Sequence, residues 1–327
     1  MKKTLVDLFE ESVRLYPNNA FLLEKINDKF EPTTYADVKT LVYRLGAGLQ
    51  AMGVKKGDRI ALLSEGRNAW IISELAMFYA GAMNVPLSIK LEESNDLLFR
   101  LIHGDVKYIM VSRTQLKKVR AIKDQLPNVK YIIVLDDLLE YEEREISFGR
   151  VMTLGDEYMN NHTLEEFLAV ANSIQNDDIA TITYTSGTTA DPKGVVLTHR
   201  NYTANVEQAC TLVQIDETWR TLIILPLDHC FAHVVGFYIM MSKGASVATT
   251  QVGRTPMETL KNIPLNIREV RPHFILSVPA LAKTFKKNIE QAIRAKGNFT
   301  VGLFNFGLRL RQIYFGDSNL DSKGLRA

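Results

Sequence analysis

Cysteine is nearly missing from this chain: Cys210 and Cys230 are the two thiols in 327 residues. They form neither a disulfide framework nor a metal-ligand spacing, and they suit a reducing, cytoplasmic compartment. Long apolar runs are missing too. No stretch of about 18 uncharged apolar residues occurs, so no membrane-spanning helix is expected. Acidic residues at Asp7, Glu10 and Glu11 follow Met1-Lys2-Lys3 closely, which excludes the apolar centre of a signal peptide. An excess of one charge is absent as well: 39 basic against 37 acidic side chains leave +2. With no basic tail, no nucleic-acid partner is expected. No internal repeat at a solenoid period is found.

What is present is a globular composition, 46% hydrophobic and 23% charged, over a length greater than one compact core usually serves. Helical and strand patterns alternate. Leu5, Leu8, Phe9 and Val13 mark a first helix, and Val38, Leu41, Val42, Leu45 and Leu49 a second, with Thr34 as its cap. Strands are read at 58–63, 81–86, 106–111 and 129–135, with helices at 68–79 and 97–103 between them. Residues 136–178 are more polar and read as a bridge carrying one helix near 163–171. Strands are then expected at 179–184, 221–225, 245–249 and 273–277. Helices are expected at 199–213, 231–242, 257–270 and from Pro279 to about 296. The tail from Asn298 shows no element that would close a domain. The fold class is therefore α/β: two Rossmann-like lobes with mainly parallel sheets flanked by helices, residues 1–178 and 179–327.

The most telling stretch is Tyr184-Thr185-Ser186-Gly187-Thr188-Thr189-Ala190-Asp191-Pro192-Lys193-Gly194. An apolar, β-prone segment feeds a run of hydroxyls and glycine, then a turn and a lysine. Such a loop has little to pack and much to hydrogen-bond, and it suits anionic oxygen. It is not a Walker A loop, which needs lysine directly after its second glycine and Ser or Thr directly after the lysine.

The run resembles the signature TSGTTG-x-PKG of the adenylate-forming superfamily, which includes acyl-CoA synthetases, luciferases and peptide-synthetase adenylation domains. Ala190 stands where that family has glycine. The likeness continues through Val195-Val196-Leu197-Thr198-His199-Arg200-Asn201. There His199 and Asn201 can cap and orient a helix, and Arg200 is either a phosphate contact or a plain surface residue. A second match is Leu225-Pro226-Leu227-Asp228-His229, followed by Phe231 and Gly236. Ala232-His233 replaces the Glu-Arg of long-chain members, and His233 is expected on a helix surface. A third is Arg271-Pro272 through Val278-Pro279.

The resemblance implies an ATP-dependent ligase. A carboxylic acid is converted to its acyl-adenylate and then to a thioester with coenzyme A, with Mg2+ shared among the phosphates. It implies ATP contacts at Thr185, Ser186, Gly187, Thr188, Thr189, Lys193 and Gly194. Thr185 is the candidate metal contact, Lys193 and His229 the catalytic pair, and His229, Phe231 and Gly236 the acyl site. The resemblance implies a medium- to long-chain fatty acid, the apolar run 231–241 favours an aliphatic substrate, and such a substrate brings an expectation of peripheral membrane association. An amino-acid or aryl-acid adenylating domain is the neighbouring alternative, and a non-catalytic nucleotide- or acyl-binding module the alternative from another class. The family's later motifs, Tyr-Gly-x-Thr-Glu, Thr-Gly-Asp and a C-terminal lysine, do not occur. The chain reads as the N-terminal part of such an enzyme, with little or no turnover of its own.

Overall fold

The computed structural model describes residues 4–92, 96–185, 192–253 and 255–315. The chain forms two compact units, Met1–Leu276 and Ser277–Ala327. The described strands are β1 (Ala20–Ile26), β2 (Lys29–Thr34), β3 (Arg59–Leu63), β4 (Met83–Leu87), β5 (Tyr108–Val111), β6 (Tyr131–Val134), β7 (Glu145–Ser147), β8 (Ile179–Thr185), β9 (Lys193–Thr198), β10 (Arg220–Ile223) and β11 (Ser246–Thr249). They form a seven-stranded sheet, β7-β6-β5-β3-β4-β8-β9, and a four-stranded sheet, β10-β11-β1-β2. Every pair is parallel except the hairpins β1–β2 and β8–β9.

The sequence dictates this burial. In β3, Ile60 and Leu62 join one hydrophobic cluster while Ala61 and Leu63 join another; β5 divides the same way, Tyr108 and Met110 against Ile109 and Val111. A strand covered on both faces needs an unbroken apolar run, and these are such runs. Helix Asn68–Tyr79 is buried along almost its whole length and touches β3 and β4 of one sheet and β1 of the other. A helix apolar all round belongs in an interior, and here it is a layer common to both sheets.

The strands do not divide between the sheets at residue 178. β8 pairs with β4, Asn84 opposite Thr181, while β1 pairs with β11, Leu22 opposite Val247. A boundary at 178/179 would cut the seven-stranded sheet, because β4 needs β8 to cover its second edge. The hairpin β1–β2 escaped the sequence reading. Its turn is Asn27-Asp28, both at positive φ (47° and 63°), the left-handed pair that a two-residue hairpin requires.

Residues 136–178 are not a bridge. They supply β7 and the helices Phe148–Asn161 and Leu164–Asn172. The first packs on helix Tyr35–Ala51 at very short range. A Cβ on Gly48 would fall 2.1 Å from the Val151 carbonyl oxygen, and one on Gly155 only 1.8 Å from that of Arg44. Arg44 Nε donates to Asp156 at 2.6 Å beside this crossing. Segment 273–277 makes one parallel bridge, Phe274 to Thr221, rather than a strand. It follows Arg271, whose left-handed φ of 50° ends the helix Pro256–Val270. In the second unit, helices Pro279–Ala295 and Asn298–Phe315 pack on each other, so the tail does contain an ordered element.

Helix Leu5–Leu15 is held by a buried imidazole. The Leu5 N–H donates to Nδ1 of His199 at 3.2 Å. Burial, the largest influence, lowers the His199 pKa to about 4, so the ring stays neutral and able to accept.

Two outcomes follow from these contacts. Gly48→Ala and Gly155→Ala each raise helix propensity, yet each should lower the urea-unfolding free energy by about 1–3 kcal/mol through overpacking. For His199, the unfolded ring binds a proton near pH 6.5 and the folded ring only near about 4. Its contribution is complete above that window and lost as pH falls through it, about 3 kcal/mol in all. His199→Asn should show a flatter dependence of stability on pH between about 4 and 6.5 in urea titrations at fixed salt.

Candidate functional site

β8 and β9 form the arms of an antiparallel hairpin. Thr185 stands directly opposite Lys193, and Tyr184 opposite Gly194. Residues opposite one another project from the same face, about 5 Å apart at Cβ. Both Thr185 and Lys193 are exposed, so a hydroxyl and an ammonium share one accessible spot. The hairpin is fastened from behind: the Tyr184 hydroxyl bonds His103 Nδ1 at 2.8 Å, and the Arg100 guanidinium lies 5.7 Å from the Tyr184 ring centroid. Ser186, Gly187, Thr188 and Thr189, with Ala190, lie outside the described residues. The donors at hand suit phosphate oxygens. Among the described residues no group of three or more His, Cys, Asp or Glu could hold a metal ion.

The segment after β10, a strand of the four-stranded sheet, approaches the end of β4, the neighbour of β8. Asn84 of β4 is opposite Thr181 of parallel β8, and Ser88 follows the last residue of β4, as Thr185 is the last of β8. Asp228 lies close to Ser88 and Lys90, and its carboxyl pKa is raised, chiefly by burial. His229 is exposed beside it, and its Nδ1 accepts from the Phe231 N–H at 3.3 Å. In the neutral ring this leaves the proton on Nε2, free to donate outward. Phe231 is 48% exposed. Gly236 is not on this surface: it is buried, and an added Cβ would meet Leu276 at 3.4 Å and Ile223 at 3.6 Å. Beyond Phe231, the run 231–241 that favoured an aliphatic substrate is almost entirely core. Its apolar character reports packing rather than an acyl pocket.

His233 is not on a helix surface. It is 1% exposed, and its Nε2 lies 2.6 Å from Glu74 Oε2. The Tyr238 hydroxyl donates to the same oxygen at 2.9 Å, and Asn84 Nδ2 donates to Oε1 at 2.7 Å. The segment Ala232–Tyr238 is a π-helix. Five residues apart in an α-helix, His233 and Tyr238 would diverge by about 140°. The i→i+5 pattern brings them to one side, with ring centroids 4.8 Å apart. Thus Glu74, itself fully buried, pins the helix that begins just beyond His229. Nothing in the local sequence marks the link to His233 and Tyr238, which lie 159 and 164 residues from Glu74. The one signal was the departure at Ala232-His233.

The stretch after the hairpin is structural. Thr198 and Asn201 form a reciprocal cap: the Thr198 hydroxyl accepts from the Asn201 N–H at 3.2 Å, and Asn201 Oδ1 accepts from the Thr198 N–H at 2.9 Å. Arg200 is paired with Asp177 at 2.6 Å, which favours the surface role.

Removing one member of a buried hydrogen-bonded cluster leaves the others desolvated and unpaired, at a cost of about 1–3 kcal/mol. His233→Ala and Glu74→Gln should each lower stability by that order in urea unfolding. The double variant should lose clearly less than the sum, since the second change removes an already orphaned partner.

Comparison with known proteins agrees with this geometry. The family model described as AMP-binding enzyme matches residues 9–327. Long chain acyl-CoA synthetase 8 of Arabidopsis thaliana is 26% identical over 94% of this chain and 46% of its own length. The chain thus spans about half the length of that relative. A long-chain-fatty-acid-CoA ligase (FadD1) from Archaeoglobus fulgidus superposes with a TM-score of 0.72 at 18% identity, over 90% of this chain and 55% of that one. The anthranilate CoA ligase AuaEII, solved with anthranoyl-AMP, gives 0.70 at 21% identity, over 84% of this chain and 49% of that one. With the family model matched over nearly its whole length, and the flanks of the signature, Thr185 and Lys193, opposite one another on the hairpin β8–β9, the chain belongs to the AMP-binding enzyme family.

Proposed function

We propose that this chain is the ATP- and acid-binding part of an AMP-forming acid–thiol ligase whose substrate is a fatty acid. The observation that carries the reading is the meeting of two motifs remote in sequence. The Thr185–Lys193 hairpin mouth stands at the carboxyl end of β8, and the His229 segment, which follows β10 of the other sheet, brings Asp228 close to Ser88 just beyond β4, the neighbour of β8; open α/β sheets bind ligands at such carboxyl ends. The long-chain relative supports the fatty-acid choice.

In the first step a carboxylate oxygen attacks the α-phosphorus of ATP. The bond to the bridging β-oxygen breaks, and pyrophosphate leaves. In the second, the sulfur of a thiol, coenzyme A in this reading, attacks the acyl carbon. The bond to AMP breaks, and the thiol proton is given up. No protein nucleophile is required, so positioning and electrostatics dominate. Lys193 neutralises the departing β- and γ-phosphates. Thr185, with Ser186, Gly187, Thr188, Thr189 and Gly194, supplies hydroxyl and backbone donors. His229 presents its Nε2–H to the acyl-adenylate, and Phe231 borders the acyl group. Gly236 acts from behind, by letting the π-helix approach Ile223. Mg2+ adds charge neutralisation on the phosphates. A cytoplasmic location suits these co-substrates.

Calorimetry on the 327-residue chain tests this with a fatty acyl-sulfamoyladenosine, a non-hydrolysable acyl-adenylate analogue. Binding is expected, and Lys193→Ala and Thr185→Val should each weaken it at least about tenfold, or about 1.4 kcal/mol. Equal affinity in both variants would remove the assignment of the hairpin. Preference for an aminobenzoyl counterpart would favour an aryl acid, the ligand class seen with AuaEII. By itself the chain is expected to form no acyl-CoA above background. Tight analogue binding without any turnover in a longer form of the protein would mark a binding module instead.

A further inference from the structure

The phosphate hairpin is held by less backbone than the strands beside it. β3 pairs with β4 at every one of its residues. β8 pairs with β4 at Thr181, four residues short of Thr185, and β9 is the edge strand of the sheet. The mouth carrying Thr185 and Lys193 therefore depends on side chains for its orientation.

Tyr184 is the side chain in place to supply it. Residues alternate along a strand, so Ile182 and Tyr184 face away from Thr185. Both pack on the cluster that contains Leu63 and Val111. The Tyr184 ring also covers Gly194, where an added Cβ would meet two ring carbons at 3.5 Å and Ile182 at 3.1 Å. Since Gly194 adjoins Lys193 and Tyr184 adjoins Thr185, the ring touches both arms of the mouth.

Helix Leu98–His103 holds the ring in turn. Arg100 and His103 are three residues apart and share a face. Arg100 is 7% exposed, donates to the Asp96 carbonyl at 2.7 Å, and sets its guanidinium 5.7 Å from the Tyr184 centroid. His103 stacks on Phe99, centroids 5.2 Å apart, and its Nδ1 bonds the Tyr184 hydroxyl at 2.8 Å. Gly104 leaves room for that hydroxyl, which a Cβ there would approach to 3.3 Å. The cation–ring contact is broad in direction, so the hydroxyl–imidazole bond is what fixes the tilt of the ring.

We propose that His103 is a positioning residue for adenylation: acting through Tyr184, it fixes where the Thr185 hydroxyl and the Lys193 ammonium meet the nucleotide. It touches no reacting atom, and it lies 81 residues from Tyr184, outside the signature. A misplacement of about 1 Å at such groups costs about a hundredfold, which gives a remote hydrogen bond its leverage. The inference rests on the ligase reading of the hairpin and adds a residue to it.

Calorimetry with the fatty acyl-sulfamoyladenosine on the 327-residue chain tests it, with Lys193→Ala as reference. His103→Ala and Tyr184→Phe should each weaken binding about tenfold. The double variant should lose no more than either, because both changes remove the same bond. His103→Asn should stay within about threefold of the native sequence, since its amide stands one bond from Cγ, as Nδ1 does. A bond that served stability alone would leave the affinity of the folded chain unmoved in all four. Hydrogen exchange without ligand gives a second reading. Amides at 182–185 and 193–196 should exchange at least about tenfold faster in His103→Ala, while those of β3 and β5 keep the native rate. Native affinity in His103→Ala beside a weakened Lys193→Ala would overturn the proposal and leave the ligase reading standing. A loss of about a hundredfold in the double variant would overturn it too, because independent contacts add. Unchanged affinity in Lys193→Ala would instead remove the ligase reading of the hairpin, and native exchange in His103→Ala would remove the clasp itself.

Discussion

Everything in the first unit is arranged around a helix that has no solvent face. Asn68–Tyr79 lies in contact with both sheets, and each sheet supplies part of its cover. Such a helix fixes the separation and order of the layers. It also creates a difficulty, because its Glu74 is carried into the interior. A lone buried carboxylate is untenable; three donors from two other elements resolve it. One of those elements is strand β4, the neighbour of β8. The other is the π-helix beyond His229. The polar requirement of one residue thus ties the strand beside the phosphate hairpin to the segment presenting the imidazole.

This gives the rim a rigid floor and exposed working groups. Tyr184 is anchored to His103 and Tyr202 to Thr181, while Thr185, Lys193 and His229 remain accessible. Rigid elements below and open donors above form an arrangement in which a polyanion meets preformed partners and little ordering entropy remains to be lost. The capping pair Thr198–Asn201 belongs to the floor. Residues that look alike in a motif therefore divide into those that touch ligand and those that hold the ones that do.

Much of this was legible in the sequence. Helix Asn68–Tyr79 and most parallel strands announce themselves by unbroken apolar runs, and the hairpin by its hydroxyl-rich signature. The misses have physical causes. The contact of Gly48 with Gly155 joins positions far apart in the chain, and the second helix is masked by the acidic stretch before it. The β1–β2 turn needed attention to Asn27-Asp28 rather than to glycine. The apolar run after Phe231 gave a true statement about hydrophobicity and a wrong one about its use, since core and acyl pocket demand the same residues. His233 could not be placed at all without its distant carboxylate.

The π-helix has one more consequence. Relative to an α-helix of equal span it accommodates an extra residue, so Ala232–Tyr238 stores a length as well as a set of side chains. Deleting one residue there would restore ordinary winding with the flanking turns nearly in register, because six residues at about 100° each turn about as far as seven in the wider π winding. The consequence falls inside the segment: the residues between His233 and Tyr238 would change faces while the two ends kept theirs. The extra residue is a local shift of side-chain register, and a comparison of the flanking turns alone would never find it.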